Sequence, residues 1–134
     1  MNIKPLFLLV DDDPDDLMLL KDAIRSIKTD IRIEEARDGR SAINFLKAAV
    51  HHQSLPSLVV LDINMPLLNG REVIALIKNE EQLKDIPVVA FSTSSYPADI
   101  DYCKTYGVQL ITKPFGMTLL LDIAKMLVTK YTKV

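Results

Sequence analysis

What most constrains the fold of this chain is a set of short apolar runs separated by segments of helical period. Leu6 to Val10, Leu58 to Leu61 and Val88 to Phe91 are continuous apolar stretches rich in β-branched and large aliphatic residues. A strand covered on both faces reads this way, as in a parallel sheet. Ile31 and Ile33 instead alternate with Arg32 and Glu34, which predicts a strand with one more exposed face at a sheet edge. Gln109 to Ile111 is a weaker fifth strand, placed by its position between two helix signals.

Between the strands the apolar period becomes helical. Leu17, Leu20, Ile24 and Ile27 form one stripe, and Ala42, Phe45, Leu46, Ala49 and Val50 another. Asp13 followed by Pro14 reads as an N-cap and first helical position, with Asp15 and Asp16 in a first turn whose dipole favours acids. Val73, Leu76 and Ile77 mark a third helix after Gly70, and Pro97 to Tyr106 a short fourth one ended by Gly107. Met117, Leu120, Leu121, Ala124, Leu127, Val128 and Tyr131 carry the last stripe, leaving a short tail of about residues 131–134. Strand-then-helix units repeated five times predict an α/β fold with a doubly wound parallel sheet, because parallel neighbours need a crossover and the crossover is right-handed.

A length of 134 residues suits a single domain, spanning 1–134, and leaves no room for a second of ordinary size. The net charge of -2, with Lys and Arg scattered along the chain, argues against nucleic acid and against a polybasic membrane surface. No apolar run approaches the roughly 20 residues that cross a bilayer. Cys103 is the lone cysteine, which suits a small buried hydrophobe in a reducing compartment. With no signal peptide legible before the acidic cluster, the expected location is cytoplasmic.

In doubly wound folds ligands bind beyond the carboxyl ends of the strands. Asp11 and Asp12 follow the first strand, Asp62 the third, Ser92 and Thr93 the fourth, and Lys113 the fifth, so every candidate lies on one edge. Three converging carboxylates repel one another unless a cation sits among them. Mg²⁺ suits them, since it takes oxygen ligands and is commonly held by one or two carboxylates plus a phosphate. Lys113 adds positive charge where a phosphoryl oxygen could sit, a Ser92 hydroxyl could donate to another, and Asp62 could form an acyl phosphate.

These residues resemble the response regulator receiver domains of the single-domain, chemotaxis-regulator kind. The resemblance rests on Leu8-Leu9-Val10-Asp11-Asp12, Asp62-Ile63-Asn64-Met65-Pro66 with Asn69-Gly70, Ser92 after the fourth strand, and Lys113-Pro114-Phe115. It covers nearly the whole chain and implies a flavodoxin-like sheet of order 2-1-3-4-5. It further implies that Asp62 is the phosphoacceptor, and that Mg²⁺ is held by Asp12, Asp62 and the backbone carbonyl of Asn64, with Asp11 acting through water. Ser92 and Lys113 would contact the phosphoryl group, Thr93 would contribute its backbone N–H, and the Lys113-Pro114 bond would be cis. The partners implied are a sensor histidine kinase or phosphotransfer protein and a downstream protein target, the latter met by the face of helix four, strand five and helix five. A homodimer through that face is a further expectation. Leu110 stands where the family often carries an aromatic switch residue, and Gly116 is an unusual residue after Phe115.

Other readings compete at particular residues. Asp13, Asp15 and Asp16 read as helix-start acids and not as ligands. His51 and His52, as helix neighbours, do not face the same way and read as surface residues. Tyr96, Tyr102 and Tyr106 suit packing or a partner surface equally, and Gly39 and Gly70 read as turn residues. At the level of the whole chain, the rivals are a Mg²⁺-dependent phosphatase or phosphotransferase, a flavin-binding domain and an unphosphorylated interaction module. Asn64 occupies the position where such phosphatases often carry a second acid, and Asp11-Asp12-Asp13 would repel a flavin phosphate.

Overall fold

The computed structural model describes residues 4–93 and 96–132; residues 133–134 of the expected tail lie outside that range. The chain alternates without exception: β1 (Leu6–Val10), α1 (Pro14–Ile27), β2 (Arg32–Ala36), α2 (Gly39–His51), β3 (Leu58–Leu61), α3 (Gly70–Asn79), β4 (Val88–Ser92), α4 (Pro97–Thr105), β5 (Gln109–Thr112) and α5 (Met117–Tyr131). All strand pairs are parallel, and the sheet order is β2-β1-β3-β4-β5. This is the doubly wound, flavodoxin-like sheet expected from the sequence.

The apolar runs are continuous because the three central strands are covered on both faces. Leu8, Val10, Val59, Leu61, Val88 and Ala90 point into one core with Ala42, Leu46, Val73, Ile74, Ile77 and Cys103. Phe7, Leu9, Leu58, Val60, Val89 and Phe91 point into the other, with Leu17, Leu20, Ile24, Leu120, Ala124 and Leu127. Successive residues of one strand therefore feed opposite cores, as the two-residue pleat requires. β2 and β5 are the edges, and their residues are mostly exposed or half-buried.

Three of the helical stripes are one residue narrower than their apolar spacing predicts. Ile27, Leu76 and Met117 are 40%, 47% and 52% exposed, while Ala23 and Ile74 fill core positions. The helix azimuth decides this, and an apolar residue at the border of a stripe reads as core although its side chain leaves the sheet.

Gly39 and Gly70 are not turn residues. Each is the first residue of its helix, with Asp38 and Asn69 as caps. A Cβ at Gly70 would meet the Asp62 carbonyl oxygen and stand 2.6 Å from Ile63 Cα. At Gly39 it would meet the Leu68 carbonyl oxygen and stand 2.9 Å from Val73 Cγ2. Both glycines are there for close approach. Gly107, with φ of 70°, ends α4 in the left-handed conformation as expected.

The Lys113-Pro114 bond is trans, since the described residues contain no cis peptide. Only about 0.5–1 kcal/mol separates the two isomers of an X-Pro bond, so local packing decides between them.

Candidate functional site

Every functional side chain expected from the sequence stands at the carboxyl edge of the sheet. The ladder explains why: Val10 pairs with Leu61, and Ser92 with Thr112, so the residues that follow these strands emerge at one level. Backbone bonds from Asp11 N–H to Ala36, from Asp62 N–H to Val10 and from Lys113 N–H to Ser92 extend the sheet one residue past its strands. They hold the Asp11, Asp62 and Lys113 backbones rigid.

Local chain geometry then aims the side chains. Asp13 caps α1, its carboxylate accepting from Asp15 and Asp16 N–H, and Pro14 follows at the first helical position. The Asp11 carboxylate accepts from Asp13 N–H at 3.0 Å. After β3, the Asn64 N–H donates to Asp62 Oδ1 at 3.3 Å. Gly70 N–H donates to the Ile63 carbonyl at 2.8 Å, so the loop carrying Asp62 is clamped onto the start of α3. A reciprocal capping box between Asn69 and Glu72 fixes that helix start.

Asp11, Asp12 and Asp62 each present a carboxylate oxygen within 4.8 Å of the others. Asp11 and Asp62 are buried and Asp12 is exposed. Lys113 Nζ lies 2.6 Å from Asp11, 2.8 Å from Asp16 and 3.7 Å from Asp62. Ser92 is fully buried, and its side chain favours the ionised form of the Asp62 carboxyl. Thr93, next along, is exposed, as is Asn64.

Burial pushes the Asp62 carboxyl up to about 6, with the Asp11 charge adding to the rise and Lys113, Asn64 and Ser92 opposing it. Burial alone would lower the Lys113 ammonium, but its hydrogen bonds to Asp11 and Asp16 and the Asp62 charge outweigh that and raise it. Lys113 is therefore a permanent cation, yet one cation does not satisfy the acids around it. Three hard oxygens at this spacing, with a carboxyl whose ionisation is still opposed, fit a divalent cation such as Mg²⁺.

The model of the response regulator receiver domain family matches residues 7–125. The chain belongs to this family. Among its curated relatives, the probable methanogenesis regulatory protein FilR2 of Methanothrix harundinacea is 38% identical over 98 residues, covering 71% of this chain and 62% of FilR2. This chain thus spans less than two thirds of FilR2. Response regulator Rcp1 of Synechocystis is 36% identical over 101 residues, covering 74% of this chain and 69% of Rcp1. Among solved structures, the phosphorylated cyanobacterial phytochrome response regulator RcpA superposes with a TM-score of 0.88 at 32% identity, covering 96% of this chain and 94% of RcpA. The Mn²⁺-bound form of Rcp1 gives 0.85 at 30% identity, covering 97% of this chain and 96% of that one. The chain is accordingly a receiver domain of the response regulator kind. No helix among its described residues is long and apolar enough to cross a membrane.

Two features of the receiver escaped the sequence reading. Asp16 is more than the helix-start acid its position predicts, since its carboxylate accepts from Lys113 at 2.8 Å. It is the third residue of α1, and helical side chains lean toward the N-terminus, which here means back over the acidic edge. The second is a buried ion pair: Arg71 Nη1 lies 2.6 Å from Asp99 Oδ1, joining α3 to α4, with the Asp99 side chain 8% exposed. Tyr102 donates its hydroxyl to the Arg71 carbonyl at 2.7 Å. Tyr102 and Tyr106 meet with ring centroids 5.2 Å apart and planes tilted by 50°, and they pack with Leu110 against the first core, which accounts for them as packing. Tyr96 is 71% exposed. His51 ends α2 and His52 caps it, both on the surface.

Proposed function

We propose that this receiver accepts a phosphoryl group on Asp62 from a histidine kinase or phosphotransfer protein, with Mg²⁺ as the required cation. The observation that carries the reading is Asp62 itself: a buried carboxylate at the end of a central strand, within 4.8 Å of two others and beside Lys113. A carboxylate oxygen of Asp62 would attack phosphorus of a phosphohistidine, the P–N bond would break, and the imidazole would leave with the electron pair. Mg²⁺, held by Asp12, Asp62 and the Asn64 carbonyl with Asp11 acting through water, would offset the negative charge of the incoming group. Ser92 and Lys113 would each donate to a phosphoryl oxygen, and the Thr93 N–H to a third. All three donors stand on the β4 and β5 side of Asp62, so they would hold the product in one orientation.

In this proposal the receiver acts in the cytoplasm, with its output through its own surface. Phosphorylation would shift the populations of two conformations at the face of α4, β5 and α5, where a target protein or a second copy of the chain docks. Differential stabilisation of about 1.4 kcal/mol changes the population ratio tenfold, which is enough for a switch. RcpA is a phytochrome response regulator, and this favours placing a phytochrome-type sensor kinase in any panel of candidate donors.

The test is mass spectrometry of the protein after incubation with a small phosphodonor and Mg²⁺. One acid-labile phosphoryl group is expected, and Asp62→Asn abolishes it. A label that persists in the variant at another residue overturns the assignment. Transfer from a panel of purified phosphorylated kinases then identifies the donor.

A further inference from the structure

The Lys113 ammonium is shared unequally among its neighbours. It stands within hydrogen-bond distance of Asp11 and Asp16, at 2.6 and 2.8 Å, but 3.7 Å from Asp62. Before any phosphoryl group arrives, the cation is thus drawn toward the α1 side of the pocket and makes no hydrogen bond to the acceptor.

The two carboxylates that hold it are not equivalent. The Asp11 side chain is 8% exposed, and its second oxygen is engaged by the Asp13 N–H at 3.0 Å. The Asp16 side chain is 33% exposed, and Lys113 is its side-chain partner. Losing Lys113 would leave Asp11 a buried charge short of a donor, whereas Asp16 would regain water. Of the two bonds, the one to Asp16 is the cheaper to break.

We propose that Asp16 is a positioning residue for Lys113, holding the ammonium away from Asp62 in the unphosphorylated receiver and releasing it when a phosphoryl group is installed. This rests on the reading of Asp62 as phosphoacceptor. A phosphoryl group raises the negative charge at Asp62 from one to about two and adds three strong acceptor oxygens, and Lys113 has only three N–H donors to distribute. The new acceptor displaces the weakest existing one. A contact made only before binding opposes binding by its own free energy, so the Asp16–Lys113 pair acts as a brake on the phosphorylated state. The same exchange frees a side chain on the first turn of α1, which links the chemistry at Asp62 to that helix.

The test is a fluorescence or calorimetric titration of the intact protein with beryllofluoride, a non-covalent mimic of the phosphoryl group, at saturating Mg²⁺. Asp16→Asn keeps the shape and removes the charge. It is expected to tighten binding roughly two- to fivefold, the range of a half-exposed ion pair. Asp15→Asn removes a charge from the same helix turn without touching Lys113 and is expected to leave the affinity unchanged. Asp16→Glu retains the carboxylate and is expected to return the wild-type value. The proposal is overturned if Asp16→Asn binds no tighter than wild type, if Asp15→Asn shifts as much, or if Asp16→Glu behaves like Asp16→Asn. A wild-type protein that takes up neither beryllofluoride nor a phosphoryl group overturns the Asp62 reading itself, and the role of Asp16 with it. Wild-type binding with an indifferent Asp16→Asn removes Asp16 alone.

Discussion

Two cations that meet buried acids in this receiver are treated in opposite ways. Among the described residues Arg71 pairs with one acid, Asp99, at 2.6 Å, across the joint between α3 and α4. Lys113 meets Asp11, Asp16 and Asp62 at 2.6, 2.8 and 3.7 Å, so one positive charge serves three acids. The first arrangement is closed, because donor and acceptor are matched and nothing is gained by moving either. The second is open, because any arriving cation or any new acceptor changes which partner Lys113 prefers. The acids are equally deep at the two places, with the Asp99, Asp11 and Asp62 side chains 8%, 8% and 9% exposed, so the ratio of charges and not the depth of the acids separates a structural joint from a site.

Gly70 stands where the two regions meet, between the Asp62 loop and Arg71, and its replacement should disturb both. A Cβ there would collide with backbone atoms of Asp62 and Ile63, which cannot rotate away. Gly70→Ala is expected to lower stability by about 3 kcal/mol, in line with overpacking against a rigid wall. Mg²⁺ binding should weaken with it. Urea denaturation and a Mg²⁺ titration check this; wild-type values in both would mean that the loop does not couple them.

The next largest effect should come from the closed pair. Arg71→Met leaves Asp99 without its guanidinium partner, and a loss of about 2 kcal/mol is expected, tempered by the partial exposure of Arg71. Mg²⁺ should leave that loss in place, because the closed joint offers no cation site. Lys113→Met provides the contrast. Its loss is expected to be about 1 kcal/mol without divalent ions and to vanish in millimolar Mg²⁺, which can take over the neutralising charge. Thermal melts of both variants with and without Mg²⁺ decide the matter. If the ion rescues Arg71→Met, or fails to rescue Lys113→Met, the distinction between closed and open arrangements is lost.

The open site was legible in the sequence and the closed joint was not, for a physical reason. Asp11, Asp62 and Ser92 each lie just past the end of an apolar run, Lys113 lies just past a strand marked by its place between two helices, and a parallel sheet carries all such ends to one edge. The alternation of strands and helices therefore brings them together. Arg71 and Asp99 lie on two helices, where a side chain's direction depends on azimuth and on how the helices pack, and neither is coded by spacing along the chain. The same azimuthal freedom hid Asp16 and placed Ile27, Leu76 and Met117 in stripes that their side chains leave. Gly70 looked like a turn because it follows Asn69, but Asn69 is a helix cap, and the constraint on Gly70 comes from the Asp62 backbone across the loop.

The smallest expected effect tests whether the open site is short of positive charge even with Lys113 present. The Asp62 carboxyl is raised to about 6 by burial, with Asp11 adding to the rise, against an ordinary value of 3.8. In the window between these values the folded protein binds more protons at Asp62 than the unfolded chain does. Stability contributed by this group is therefore present at pH 4 and is lost as the pH rises toward 6. Asp62→Asn cannot ionise and escapes that loss. Without Mg²⁺, the variant should exceed wild type in stability above pH 6 by an amount on the order of 1 kcal/mol. The advantage should shrink to nothing as the pH falls to 4, and Mg²⁺ at neutral pH should shrink it too by stabilising the wild-type carboxylate. Denaturation midpoints of the two proteins across this pH range give the answer directly. An advantage that persists unchanged at pH 4 would place its origin in packing and not in charge, and a wild type more stable than Asp62→Asn at pH 7 would mean that Lys113 alone already balances the site.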